Sequence, residues 1–272
     1  MQLSKETRFI HYNSIKVIIL LPIGLIFVGW LLNTPSGLLG KADAVGYAVC
    51  HRIDLRSFHL GDRQLPLCAR CTGMYLGAML GLLYQYAVGP RWAGSPPRRV
   101  IAVLAGLLAA FAVDGLNSYF SLFPIGPTVY GPSNVLRLVT GTGMGVVIAA
   151  ALYPAFNQTI WRDWEPKASL GGLKPLAGLL LLAILLDLVV LSENPLVLYP
   201  LALVSAAGVI ILLTMVYTMV WLLIFRAENR FLSLQGLWLP LMGGFALSLL
   251  QIGLFDLLRY LLTGTWDGFH LG

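Results

Sequence analysis

The chain has 272 residues, of which 58% are hydrophobic and 11% charged, with a formal net charge of +6. Soluble globular domains carry about 25% charged residues, so a soluble fold of this size has too few charges to cover its surface. The excess of Lys and Arg reads as loop bias toward the cytoplasm, and no nucleic-acid module is visible.

Charge-poor apolar runs fall at residues 17–32, 72–88, 100–119, 135–156, 173–191, 199–225 and 237–262. Each is close to, or above, the roughly 20 residues a helix needs to cross the bilayer core. They predict an all-α polytopic bundle of about seven spans, built as a single integral membrane domain over residues 1–272. Turn residues punctuate the gaps at 33–37, 94–97, 124–132 and 193–195. Residues 1–44 have a basic start, an apolar run and Ala42-Asp43-Ala44, which invites a signal-peptide reading. The run is long for such a segment, and about ten residues separate it from the candidate cleavage site, so it is expected to stay as the first span.

Orientation follows from Lys and Arg. Lys5, Arg8 and Lys16 precede the first span, with His11 among them. Arg91, Arg98 and Arg99 follow the second, Arg162, Lys167 and Lys174 the fourth, and Arg226 and Arg230 the sixth. These segments are expected to share the cytoplasmic side, which puts the N-terminus inside and the C-terminus outside. The segment 34–70, an extracytoplasmic loop by this reading, breaks the charge rule with Lys41, Arg52, Arg56, Arg63 and Arg70.

That segment holds the distinctive chemistry. All three cysteines, Cys50, Cys68 and Cys71, and two of the four histidines fall within it or at the start of the second span. Cys68 and Cys71 have the spacing that lets two thiolates point at one ion, so one reading is a zinc site completed by Cys50 and by His51 or His59. Adjacent Cys50 and His51 do not easily bind the same ion, because neighbouring side chains diverge. A second reading is thiol–disulfide chemistry, with Cys68 and Cys71 activated at a helix N-terminus. A third is a structural bridge from Cys50 to Cys68 or Cys71.

Cys50-His51-Arg52, Arg56-Ser57-Phe58 and Pro66-Leu67-Cys68-Ala69-Arg70-Cys71-Thr72-Gly73 together resemble the signature of a bacterial and archaeal family of integral membrane proteins, the domain of unknown function 2085. The resemblance covers about residues 45–120 with specificity and implies a membrane protein carrying a Cys/His/Arg signature.

Ionisable groups inside a membrane are costly and therefore informative. Asp114, Asn117, Arg137, Asp187, Asp256 and Arg259 all fall near the outer ends of their spans. One arrangement is mutual pairing, including Asp256 with Arg259 one turn on, and Arg137 with Asp114 or Asp187. The other is an outer pocket walled by the three carboxylates, with Arg52, Arg56, Arg70 and Arg137 binding an anionic or lipid-linked ligand and Asp114 as an acid/base candidate. The glycines at 73, 77 and 81 and at 141, 143 and 145 predict close helix packing. No complete catalytic constellation is visible. The function expected is a zinc-site membrane protein acting on an anionic ligand, against a thiol–disulfide oxidoreductase, a transporter or a non-catalytic membrane subunit.

Overall fold

The computed structural model describes residues 20–122 and 128–268. Lys5, Arg8, His11 and Lys16, on which the placement of the N-terminus rests, lie outside these residues, as does Pro124 of the third expected turn. The described chain forms α1 (Leu20–Asn33), α2 (Gly37–Val49), α3 (Ala69–Val88), α4 (Arg98–Phe120), α5 (Asn134–Ile160), α6 (Leu173–Leu191), α7 (Pro195–Ile224) and α8 (Leu234–Thr263). A two-stranded hairpin, β1 (His59–Leu60) and β2 (Arg63–Gln64), sits between α2 and α3.

The fold is an all-α bundle. Helices α4 to α8 are each long and apolar enough to cross a membrane, and the bent pair α1–α2 raises the number to six if it counts as one span. The chain turns by 105° between α1 and α2. Pro35 cannot extend α1, and Gly37 takes φ +79°, a left-handed conformation that glycine adopts without strain. Segment 34–70 is therefore not a simple loop: its first half is the helix α2, which packs against α7 and α8. Lys41 closes the corner by donating to the backbone carbonyls of Leu31 and Thr34 at the end of α1.

Helix α3 was expected as the second span. It has 20 residues, a length of roughly 30 Å at 1.5 Å per residue. It is not among the helices apolar enough to cross a membrane, and nine of its residues are buried. Gln85, which would be costly in lipid, is buried and donates to Ala149 O at 2.8 Å. The expected glycine packing is present. A methyl group on Gly77 would strike the backbone of Thr142, and one on Gly145 would strike Met74 and Ala78. The two helices thus pack backbone to backbone, and α3 lies in the centre of the bundle.

The loops sort onto two faces. On one, Glu165 N donates to Arg91 O at 2.9 Å, Arg162 N donates to Phe231 O at 3.0 Å, and Arg91 pairs with Asp163. Three of the basic segments expected to share a side are therefore knitted together. On the other face, Asn134 Nδ2 reaches Leu55 O and Ser57 O, joining α5 to the Arg-rich segment. Replacement of Gly145 by Val should destabilise the bundle by roughly 1–3 kcal/mol through overpacking. Gly106→Ala, where no atom lies within 4 Å, should leave stability nearly unchanged. Thermal melts in detergent compare the two.

Candidate functional site

The site forms where α2 ends and α3 begins. Helix α2 stops at Val49, and Cys50 N still donates to Gly46 O at 2.8 Å. At Gly46 the helix touches the carbonyl of Pro66 so closely that no side chain fits between them. This contact draws the end of α2 against the segment Leu65–Cys68. The Cys68 amide then donates to Cys50 Sγ at 3.4 Å. Cys68 caps the N-terminus of α3, and Cys71 lies one turn on.

The result is a set of three free thiols whose sulfurs all lie within 4.8 Å of one another. The sequence spacing of 18 residues between Cys50 and Cys68 does not reveal this; the Gly46–Pro66 contact creates it. Cys50 and Cys68 are buried in one apolar cluster with Leu67, Ala206, Val209 and Ile252. Ala206 and Val209 lie roughly 16–21 Å along α7 from its first residue, at 1.5 Å per residue. The thiols are therefore recessed into the bundle rather than placed on its surface. Three sulfurs at this separation can hold a metal ion.

His51 stands beside the cluster but outside it, with Nδ1 3.9 Å from Cys50 Sγ and accepting from Ile53 N at 3.4 Å. His59, the other expected ligand, is on β1 and contacts Asp54 at 2.8 Å through Nε2. A cavity of 390 Å³ opens beside Cys50 and His51, walled by α8 residues including Phe255, Leu258 and Arg259.

The arginines divide into two groups. Arg52 was expected in the anion pocket, but it pairs with Asp43 at 2.9 Å and reaches Trp266 O at 3.3 Å. Its backbone sits at φ +50°, a strained position for a non-glycine residue, and Gln64 Nε2 holds its carbonyl at 2.9 Å. Arg52 thus serves the loop's shape. Arg56, Arg70 and Arg137 lie within electrostatic reach of one another. Partial burial, and then the charge of Arg70, push the Arg56 guanidinium below its ordinary value.

Asp114 joins this second group. It forms an ion pair with Arg70 and accepts from Tyr130 Oη at 3.0 Å and Thr140 Oγ1 at 3.3 Å. Arg70 also donates to Ser118 Oγ at 2.9 Å, Arg56 donates to Ser118 O at 3.0 Å, and Arg137 donates to Asn134 Oδ1 at 2.8 Å. Of the three guanidiniums, Arg70 is the one that pairs with Asp114. The buried Nε atoms of Arg70 and Arg137 have no hydrogen-bond partner.

The three carboxylates expected to wall one pocket are held by different partners. Asp187 accepts from Thr142 at 2.6 Å, and Asp256 accepts from Trp30 Nε1 at 3.2 Å. Each lies on its own helix with its own partner. No ion pair joins Asp256 to Arg259 among the described residues. Arg259 instead donates to the carbonyls of Tyr47 and Cys50, at 2.7 and 2.6 Å, where α2 has run out of amide partners. Arg137 likewise pairs with neither Asp114 nor Asp187. Sequence reading missed Asp43, Ser118 and Tyr130. Asp43 carried a signal, as one of the few acids in the Arg-rich segment 34–70; Ser118 and Tyr130 carried none.

These features define a class: a polytopic α-helical membrane protein with a recessed three-thiol cluster beside an arginine-rich network. The chain belongs to the family described as predicted membrane protein (DUF2085), whose model matches residues 50–151. It is 31% identical over 102 residues to an uncharacterized protein of Methanothermobacter thermautotrophicus, covering 37% of this chain and 81% of the relative. It is 26% identical over 122 residues to the uncharacterized protein MJ1492 of Methanocaldococcus jannaschii, covering 45% of this chain and 72% of that one. No solved structure matches.

Removal of either partner of the Arg70–Asp114 pair strands a buried charge. Asp114→Ala and Arg70→Ala should each destabilise the protein by ~3–5 kcal/mol, and the double substitution by less than their sum. Melting of the purified variants measures both effects.

Proposed function

We propose that the Cys50, Cys68 and Cys71 cluster is a zinc centre on the extracytoplasmic side of a bacterial or archaeal inner membrane. On this reading His51 is the fourth ligand, reached by a rotation of its ring. The observation that carries the proposal is the convergence of three thiols, two of them buried, from two helix ends. Thiolates are strong ligands for zinc, and a tetrahedral site needs four donors. Binding would drive off the thiol protons, and metal coordination accounts for three mutually facing thiols better than packing alone.

The adjacent Arg56, Arg70 and Arg137 are the anion side of the same site. Three guanidiniums against one carboxylate leave excess positive charge, and guanidinium planes suit phosphate or carboxylate oxygens. The ligand is an anionic or lipid-linked molecule, and Asp114, already engaged by Arg70, Tyr130 and Thr140, is the group placed to exchange a proton with it. Arg52 is outside this role. The N-terminus lies inside, with the basic face formed by the loops after α3, α5 and α7 toward the cytoplasm.

One observation favours a second reading. The same sulfur separation brings thiols close enough for exchange after small side-chain rotations, so Cys68 and Cys71 can act as a redox dithiol with Cys50 as a third partner. Metal analysis separates the two. Purified protein should contain about one zinc per chain, and Cys68→Ser should lose most of it. Metal-free protein whose Cys68 and Cys71 cycle between alkylatable and protected forms with reductant and oxidant would overturn the zinc reading in favour of the dithiol.

A further inference from the structure

A second cavity, apart from the thiol cluster and the arginine network, lies between α1 and α8. Its volume is 730 Å³, and its lining includes Trp30, Gly253, Asp256, Tyr260 and Trp266. Most of the remaining lining is aliphatic, and Leu25 and Leu254 on its margins are exposed on the outside of the bundle. The cavity therefore opens sideways toward lipid. Its width comes from small residues: no atom lies within 4 Å of a methyl group built on Gly29, and the nearest atom to one built on Gly253 is Trp30 Cδ1 at 3.8 Å.

Asp256 is out of place in such a wall. It is 3% exposed, and one carboxylate oxygen is held by Trp30 Nε1 at 3.2 Å while the other, Oδ1, is buried with no partner. A buried carboxylate oxygen without a donor is costly, and the cost is greatest where lipid replaces water. A ligand that brings a positive charge and N–H donors removes that cost. The aromatic rings favour the same ligand, because Tyr260 and Trp266 pack together at 5.6 Å and Trp30 adjoins the carboxylate. Aromatic faces attract ammonium groups.

We infer that the α1–α8 cavity binds a lipophilic ammonium compound, an amine-bearing amphiphile whose headgroup pairs with Asp256 and whose chain lies along the apolar wall. The molecule enters laterally from the bilayer. Chain length is set by the apolar wall, and charge selectivity by the carboxylate. The cavity is independent of the thiol cluster, so the inference stands whether or not that cluster holds zinc.

The test uses the full chain in phosphatidylcholine nanodiscs, with dodecylammonium, dodecanol and dodecyl sulfate as probes and bound probe read by native mass spectrometry. Dodecylammonium should bind at one saturable site, about tenfold or more tighter than dodecanol, the size of one charge-assisted hydrogen bond. Dodecyl sulfate should not saturate. Asp256→Asn keeps an acceptor for Trp30 and should abolish the preference for the amine over the alcohol. Gly253→Leu should fill the cavity and remove saturable binding, while Gly253→Ala, which the cavity accommodates, should retain it. Non-saturating uptake of all three probes, or unchanged amine binding in both Asp256→Asn and Gly253→Leu, would overturn the inference.

Discussion

Helices α3 and α5 meet with no side chain between their backbones where Gly77 faces Thr142 and Gly145 faces Ala78. Close approach of this kind gains dispersion energy over a long seam, which matters in lipid, where burial of apolar surface offers little net gain. The seam also withdraws α3 from the lipid. A helix so enclosed can carry an arginine in its first turn and a buried glutamine near its end, provided each finds a partner. Arg70 finds Asp114 and Ser118, and Gln85 finds Ala149. The polarity of α3 is therefore a consequence of its central position, and the chemistry at its N-terminus depends on that position.

The second constraint is the contact between Gly46 and the Pro66 carbonyl. It fixes where α2 ends relative to where α3 starts, and so decides that Cys50 meets Cys68 and Cys71. Around it the loop is held by polar contacts rather than apolar ones. Arg52 binds Asp43, Gln64 binds the Arg52 carbonyl, and Arg259 gathers the last carbonyls of α2. The arginines that violate the charge rule for an outside loop thus have two uses. Arg52 and Arg63 hold the loop through Asp43. Arg56 and Arg70 join Arg137 and Asp114 in the network beside the thiols. A charge-based topology reading counts such residues as free cations, although in the folded protein their charges are partly spent on internal partners.

The class of fold was legible because apolar runs long enough to span a bilayer have few alternatives in sequence space. The alternation of basic segments was legible too, and the loops bearing Arg91, Arg162 and Arg230 do meet on one face. What the sequence hid were contacts between residues far apart in the chain. Nothing local distinguishes an arginine that pairs with Asp43 from one that joins Arg137, so Arg52 and Arg56 read alike in sequence. Asp256 and Arg259 have the spacing of a helical ion pair, yet the end of α2 offers Arg259 several carbonyls at once. Helix α2 itself was hidden because its 13 residues are too few to span a bilayer and include the poor helix formers Gly40 and Gly46, yet small residues suit a helix packed against α7 and α8.

The family match divides the chain unevenly around the site. Residues 50–151, matched by the family, contain all three cysteines, Arg56, Arg70, Arg137 and Asp114, together with the α3–α5 seam that positions them. The walls around them come from elsewhere. Ala206 and Val209 on α7 and Ile252 on α8 cover the thiols, and Arg259 on α8 fixes the end of α2. In this chain the thiols of the matched region are thus enclosed by residues of α2, α7 and α8 that lie outside it. The depth of the thiols and their route of access are therefore properties of the unmatched helices. The same helices, with α1, form the cavity around Asp256, so the two sites share α8 as a common wall while drawing their reactive groups from different parts of the chain.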